Sequence, residues 1–358
     1  MKTYTKFLIY NYIISFLNIF VVFSGLIVIL NLLTELDFFK NIDVDIYFPI
    51  YLAFLNSPSL LFEMLPFLIL ISTQIFFLKL FNESEIQIFK YSGLKNSKIL
   101  FIVSVTSFLI GLFSVLLFYN FSSNLKNFYF ELKSKYTSDD KYLAVITKNG
   151  IWIKDIVDDK IILINSSKIE KNYLYNNLIS EFDENYKIKK NIYSEKIDIK
   201  DKIWIIDNPK LIQPDSIITT SNQIKYKTNF DYIKIQSLFS NLTSINLLEL
   251  ISLRKNYKSI NYSTTEIDIQ LQKLISYPIY LILITIFASI IMFNSKNSKS
   301  YLIKIGSGLI SAVVIYYINN FFYVLGSTER IHYIFATWTP MVIISLINLL
   351  LYIDINEK

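Results

Sequence analysis

Apolar residues run almost unbroken through three stretches before residue 121 and three after residue 267. Between them polar residues become frequent and the apolar period falls to two. A bilayer core of about 30 Å needs about 20 apolar residues in a helix. The segments 7–33, 59–81, 99–120, 274–293, 302–325 and 334–353 reach that length. The pattern predicts six transmembrane helices in a 3+3 arrangement around one inserted domain. It sets the boundaries at 1–120, 121–267 and 268–358. The first stretch is too long for a signal-peptide core and lacks a small-residue cleavage site, so it reads as a retained span.

The inserted block carries strand signals. Runs at 142–147, 151–155, 161–164, 177–182, 193–199, 202–206 and 223–228 alternate or are continuously apolar. Turn signals separate them at Asn149-Gly150, Asp158-Asp159, 183–185, Lys200-Asp201 and Asn208-Pro209. Short, evenly spaced strands without helices between them predict an all-β sandwich or jelly roll. From 244 to 257 the period turns helical. Asn246 and Glu249 have capping-box spacing, and Leu247, Leu248, Leu250 and Ile251 give an apolar face. This helix is expected to lie near the outer membrane surface and lead into the fourth span.

Composition narrows the chemistry. The chain is 53% hydrophobic with a mean hydropathy of +0.41, as expected of a membrane protein. It has no cysteine and one histidine, His332, so thiolate chemistry and multi-histidine metal sites are excluded. No Gly-rich phosphate loop and no G-x-S-x-G occurs, and no catalytic residue or bound cofactor is expected. A net charge of +6 over this length is no nucleic-acid signature.

The positions of the charges say more than their sum. Lys2, Lys6, Lys79, Lys90, Lys95, Lys98, Lys296, Lys299, Lys304 and Lys358 fall on one side of the six spans. The short loops of the other side hold only Lys40 and Arg330, and the first of them is acidic at Glu35, Asp37, Asp43 and Asp45. The positive-inside rule then puts both termini in the cytoplasm and the β-domain outside. Few ionisable groups enter the spans; Glu63 lies near one end, with Gln74, Asn319 and Asn320 as amides. That scarcity argues against a proton-coupled carrier. The two asparagines suit either hydrogen bonds between helices or a cavity lining.

The most specific local sequence is Asn82-Glu-Ser-Glu-Ile-Gln-Ile-Phe-Lys-Tyr-Ser-Gly-Leu-Lys-Asn-Ser-Lys98. It predicts a short cytoplasmic helix near 83–93, with Glu83 and Glu85 in its first turn and Gly93 at its end. Ile86 and Phe89 are neighbours on one face, a ridge suited to a partner's groove or to lipid headgroups.

Residues 83–94 resemble the S-E-L-x-x-M-x-A-S-G loop of the LptF/LptG family of lipopolysaccharide-export permeases. The span order, Pro58 and Pro66 around the start of the second span, and Gln270-Leu-Gln-Lys-Leu-Ile-Ser-Tyr-Pro278 also agree with that family. Gly150-Ile-Trp-Ile-Lys-Asp155 and Lys202-Ile-Trp204 look more like LptG than LptF.

The resemblance implies a non-enzymatic inner-membrane subunit. It would pair with an LptF-like sister permease and with an LptB-like ATPase dimer that consumes the ATP. It would pass lipopolysaccharide to LptC/LptA-like jelly-roll proteins. It makes Glu85 the carboxylate that engages the ATPase and Gly93 the glycine that ends the helix, with Glu83, Ile86 and Phe89 beside them. Expected cavity residues are Ile27, Asn31, Phe62, Pro66, Asn320 and Phe322. The family's basic residues at the outer end of the first span are absent, since 31–37 reads N-L-L-T-E-L-D. Lys40 is the nearby substitute for a phosphate contact. The alternative readings are the LptF-type sister, or a membrane-anchored scaffold whose β-domain binds protein.

Overall fold

A computed structural model of the chain describes residues 2–133, 136, 144–147, 150–157, 160–170, 172–183, 187–213, 216–219, 223–232, 235, 242–259, 263–293 and 301–356. It divides into two compact units, Met1–Phe130 with Asp268–Lys358, and Glu131–Ile267.

The first unit is helical. Its elements are α1 (Thr3–Phe38), α2 (Tyr47–Asn82), the short α3 (Glu85–Tyr91) and α4 (Asn96–Phe113). A π-helical turn, Ser114–Phe118, joins α4 to α5 (Tyr119–Lys133). After the insertion come α7 (Thr265–Phe293), α8 (Tyr301–Ser327) and α9 (Tyr333–Asn356). Six helices among the described residues are long and apolar enough to cross a membrane, with α4 and α5 counting as one. At 1.5 Å per residue, the 36-residue α1 and α2 are each about 54 Å long, well beyond a bilayer core.

Helix α2 begins twelve positions before the expected 59, which corrects the reading of 34–58 as a loop. Pro58 and Pro66 therefore lie inside it. Proline lacks an N–H, so Pro66 leaves the Phe62 carbonyl without its helical donor. The Tyr277 hydroxyl of α7 donates to that carbonyl at 2.7 Å.

The helices meet through small and hydroxylated residues, as membrane helices do. At Gly111 of α4, an added Cβ would sit 2.8 Å from the Pro278 backbone of α7. Tyr12 of α1, fully buried, places its hydroxyl 2.6 Å from Ser107 of α4 and 3.2 Å from Thr73 of α2. Thr285 of α7 lies 2.7 Å from Ser107, so four helices share one chain of hydroxyls. Asn348 of α9 donates to the Leu283 carbonyl of α7.

The second unit is an antiparallel nine-stranded sheet. Its strands are β1 (Ala144–Thr147), β2 (Gly150–Val157), β3 (Lys160–Glu170), β4 (Tyr173–Phe182) and β5 (Ile188–Asp198). There follow β6 (Ile203–Asp207), β7 (Lys210–Gln213), β8 (Ser216–Thr219) and β9 (Ile224–Lys227). The order is β1-β2-β3-β4-β5-β6-β9. The sheet forks at β5, where residues 196–198 pair with β6 and residues 191–193 with β7. The all-β insert is thus present, as a meander with a β7–β8 hairpin that the alternation did not resolve. Of the expected turns, Asn149, Asp158, Asp159, Glu184 and Asn185 lie outside the described residues.

One face of the sheet is sealed. Ile151, Ile153, Ile164, Leu174, Ile179, Ile197, Trp204 and Ile206 are all buried. Asp155 is buried among them and accepts from the Thr228 hydroxyl (2.6 Å), the Asn229 amide N–H (2.9 Å) and its side-chain NH2 (2.9 Å). Buried Glu181 holds Lys190 at 2.8 Å and the Tyr226 hydroxyl at 3.0 Å. Burial and the Glu181 carboxylate push the Tyr226 phenol well above its ordinary value.

Helix α6 (Leu247–Ser259) follows with the expected capping box. Asn246 Oδ1 accepts from the Glu249 amide at 3.0 Å, and Glu249 Oε2 from the Asn246 amide at 3.4 Å. Its apolar face is not the expected one: Leu250 and Tyr257 are buried, while Leu248 and Ile251 are exposed.

Candidate functional site

Two places in the helical unit combine chemistry with exposure. The first is α3. Ser84 precedes it at φ 57°, a left-handed conformation that reverses the chain after α2. Gly93 follows at φ 79°. The Leu94 amide donates to the Phe89 carbonyl at 2.9 Å and the Gly93 amide to Lys90 at 3.0 Å. That is a Schellman closure, and the positive φ is why a glycine stands there.

The expected ridge points the other way from a docking face. Ile86 is buried in a core with Leu8, Tyr12, Phe76, Phe77, Leu80, Ile99, Val103 and Met292. Phe89 packs against the same core and meets the Phe7 ring edge-on at 6.1 Å. These two side chains anchor α3 to the bundle. Ile88 and Tyr91 are the apolar residues turned outward, and Tyr91 is 91% exposed. Seven residues of mixed sequence gave no way to choose between the two faces.

Glu83 closes α2 as its C-cap residue, so only Glu85 lies in the first turn of α3. Glu85 Oε2 is buried and accepts no hydrogen bond. Burial, with the Glu83 carboxylate beside it, pushes the Glu85 carboxyl above its ordinary value, and Lys79 pulls the other way. Lys79 itself donates to Asn11 Oδ1 at 3.1 Å.

The second place is the opposite end of the unit. Phe62 of α2 stacks on Tyr277 of α7 at 4.8 Å and 15°, and meets Tyr119 of α5 at 5.1 Å. Gln270 reaches the Tyr119 hydroxyl at 3.4 Å. Beside this shelf, exposed Glu63 lies 3.7 Å from Lys126 and also acts on exposed Lys273. Lys126 makes an ion pair with this carboxylate, whose charge is also felt at Lys273. Lys126 and Lys273 sit in helices 147 positions apart in the chain, so no local pattern joins them. Glu35, expected in an acidic loop, is instead a buried helix residue that accepts from the Tyr129 hydroxyl at 2.7 Å.

The expected cavity residues divide. Ile27, Asn31 and Phe62 are buried in helix packing. Asn31 donates to Ser57 at 3.1 Å and accepts from Asn56 at 3.3 Å, so it ties α1 to α2. Pro66 is half-buried beneath the Tyr277 contact, Phe322 is half-buried, and Asn320 and Lys40 are exposed. Asn319 bonds the Tyr280 hydroxyl at 2.8 Å, the inter-helix role. No group of three or more metal-ligating side chains occurs among the described residues.

Much apolar surface remains uncovered. Only 11% of the most apolar stretch is buried in each of α1 and α8, against 61% in α2 and α7. Val21, Val22, Ile29 and Leu33 of α1 face outward, as do Ile310, Tyr316, Tyr317 and Phe321 of α8. No curated protein matches the chain closely enough to be counted a relative. The family model described as lipopolysaccharide export system permease LptF/LptG matches residues 6–354. Six apolar helices, an inserted antiparallel sheet and a match over nearly the whole length therefore lead to one conclusion: the chain belongs to the LptF/LptG family of lipopolysaccharide export permeases, as a transporter component and multi-pass membrane protein.

Proposed function

We propose that this chain is the LptG-type permease of an ATP-driven exporter, coupled to a separate ATPase dimer through α3. The observation that carries the reading is Glu85. It is a carboxylate at the start of an anchored cytoplasmic helix, with one oxygen buried and unbonded and an acidic neighbour. A buried carboxylate oxygen without a donor is costly, and a basic side chain from a partner would relieve it. In this reading Ile86 and Phe89 transmit the partner's movement into the core shared by α1, α2, α4 and α7. Ile88 and Tyr91 make the apolar contact.

The lysine asymmetry supports both termini in the cytoplasm and the β-unit in the periplasm of the inner membrane. The exposed faces of α1 and α8 suit acyl chains and an LptF-like sister subunit, because burying apolar area needs no charge. Lys126 is better placed than Lys40 to meet a lipid phosphate, since it lies beside an aromatic shelf, and Lys273 adds positive charge to the same region. The β-unit would hand lipopolysaccharide to LptC/LptA-like jelly rolls. The motif 150–155 favours the LptG type.

The test is affinity purification of the tagged chain from its native membrane, with mass spectrometry of proteins and lipids. An ATPase, a second six-span permease and a lipid A species are expected. Glu85→Ala should reduce ATPase recovery by about ten-fold or more while the sister permease still co-purifies, since breaking a partly buried charge pair costs a few kcal/mol. Recovery of the chain with soluble periplasmic proteins and no ATPase would instead support a scaffold.

A further inference from the structure

Helix α6 is apolar on two sides. The side bearing Leu250 and Tyr257 is buried, and the helix packs on β1. The opposite side carries Leu248, 76% exposed, and Ile251, 41% exposed. Lys255 and Lys258 continue the same line, at helical spacing, and both are exposed. Ser252 lies exposed beside them. The one acidic residue of the helix, Glu249, is held in the capping box by the Asn246 amide. The exposed line is therefore aliphatic at its start and cationic at its end.

A single exposed leucine is ordinary on a protein surface. Two aliphatic side chains in line with two lysines are the set that an interfacial helix uses. Aliphatic groups enter the boundary between headgroups and acyl chains, and ammonium groups meet lipid phosphates. The place in the chain agrees. Helix α6 ends at Ser259 and α7, a membrane span, begins at Thr265. The link between them reaches at most about 20 Å when extended. The apolar stretch of α7 begins at Leu274, about 14 Å along the helix from Thr265. The link is thus long enough to return α6 to the headgroups.

We propose that α6 is an in-plane anchor that binds an anionic lipid surface through Leu248, Ile251, Lys255 and Lys258. Phosphate groups meet the two ammoniums, and the two aliphatic side chains sit in the boundary below them. The anchor uses neither α3 nor Lys126, and it needs no ATPase and no sister permease. It therefore stands or falls independently of the transport reading.

The full chain has no cysteine, so a spin label at Ser252→Cys would be unique and would leave all four side chains in place. The labelled chain would be placed in nanodiscs of phosphatidylcholine, with and without phosphatidylglycerol. Its collisions would be measured with oxygen, which concentrates in lipid, and with a nickel chelate, which stays in water. Oxygen should dominate in discs that contain phosphatidylglycerol, and nickel should gain in phosphatidylcholine alone. Lys255→Gln together with Lys258→Gln should shift the label toward water by about 25-fold, roughly five-fold for each lysine. Leu248→Ser should shift it the same way in both lipids. The substituted side chains are exposed, so the fold is left intact. A label that meets nickel equally in every lipid overturns the anchor. So does a label shielded from both reagents, which would place protein over this face. An immersed label that responds neither to the lysines nor to the charge of the lipid overturns it as well.

Discussion

Helices α2 and α7 are as apolar as α1 and α8, yet the first pair is mostly buried within this chain and the second mostly exposed. Apolarity therefore does not distinguish them. For α1 the difference lies in its few hydrogen-bonding residues, whereas α8 has small and polar residues of its own and is left exposed all the same. The α2 and α7 faces carry Thr73, Gln74, Ser276, Tyr277, Thr285 and Ser289, all buried. The C-terminal half of α1 offers its neighbours little beyond Asn31 and Glu35. In lipid, apolar side chains gain little by leaving the bilayer for each other. Close approach and hydrogen bonds decide which helices pair.

Two glycines give the largest contrast. Gly111→Leu drives a side chain into the Pro278 backbone, which cannot move aside, whereas around Gly25 an added Cβ meets nothing within 4 Å. The first substitution should cost about 3 kcal/mol or more and sharply reduce folded protein, while Gly25→Leu should be nearly silent. Thermal melting in detergent measures both. Equal effects would break the contrast between packed and lipid-facing helices.

The β-unit extends the comparison to a region in which apolar burial itself drives folding. There Asp155→Ala strips three donors of their acceptor and should cost about 3 kcal/mol. The loss should show as earlier proteolysis within the insert, with the six spans still protected. Simultaneous loss of the spans would mean that the two units do not fold separately.

Tyr12→Phe removes one hydroxyl from the four-helix chain and should cost about 1–2 kcal/mol. Tyr10→Phe on the exposed face of the same helix should cost nothing measurable. Chemical denaturation of the two variants would separate them, and similar losses would deny the hydroxyl chain a role in joining the helices.

The smallest effect concerns Glu85. Its carboxyl is raised above the ordinary value, so its ionised form is disfavoured in the folded chain. That penalty is absent below the ordinary carboxylate range. It sets in as pH rises through the unfolded value and is complete above the folded one. Partner binding should relieve it, so ATPase affinity should fall as pH drops through the raised value. Glu85→Gln should flatten that profile, and titration of the complex at several pH values measures it. A profile unchanged in Glu85→Gln would show that the pH dependence does not come from this carboxyl.

The sequence by itself determined the elements. Long apolar runs can be nothing but spans, because an unsatisfied backbone in lipid forces helices. The short alternating or apolar runs between 142 and 228, separated by turn signals, read as strands. Gly93 and the Asn246–Glu249 pair mark helix ends through local geometry, and all these signals are short-range. The helix starts were less legible. Tyr47–Ser57 mixes aromatic, polar and small residues, and the helix continues there because it packs against α1.

Only the tertiary structure decided which faces turn inward. A helix apolar all round carries no periodic signal of its neighbour. Short α3 has no clear signal either: Ile86 and Phe89 read as a ridge for a partner or for lipid, and it is the bundle that buries Ile86 and leaves Ile88 outside. Tyr12, Ser107 and Thr285 were three unremarked hydroxyls until three helices met. Glu63 and Lys126 became an ion pair only when α2 and α5 met, since the lipid that makes a helix mandatory gives no hint of which side its partner takes.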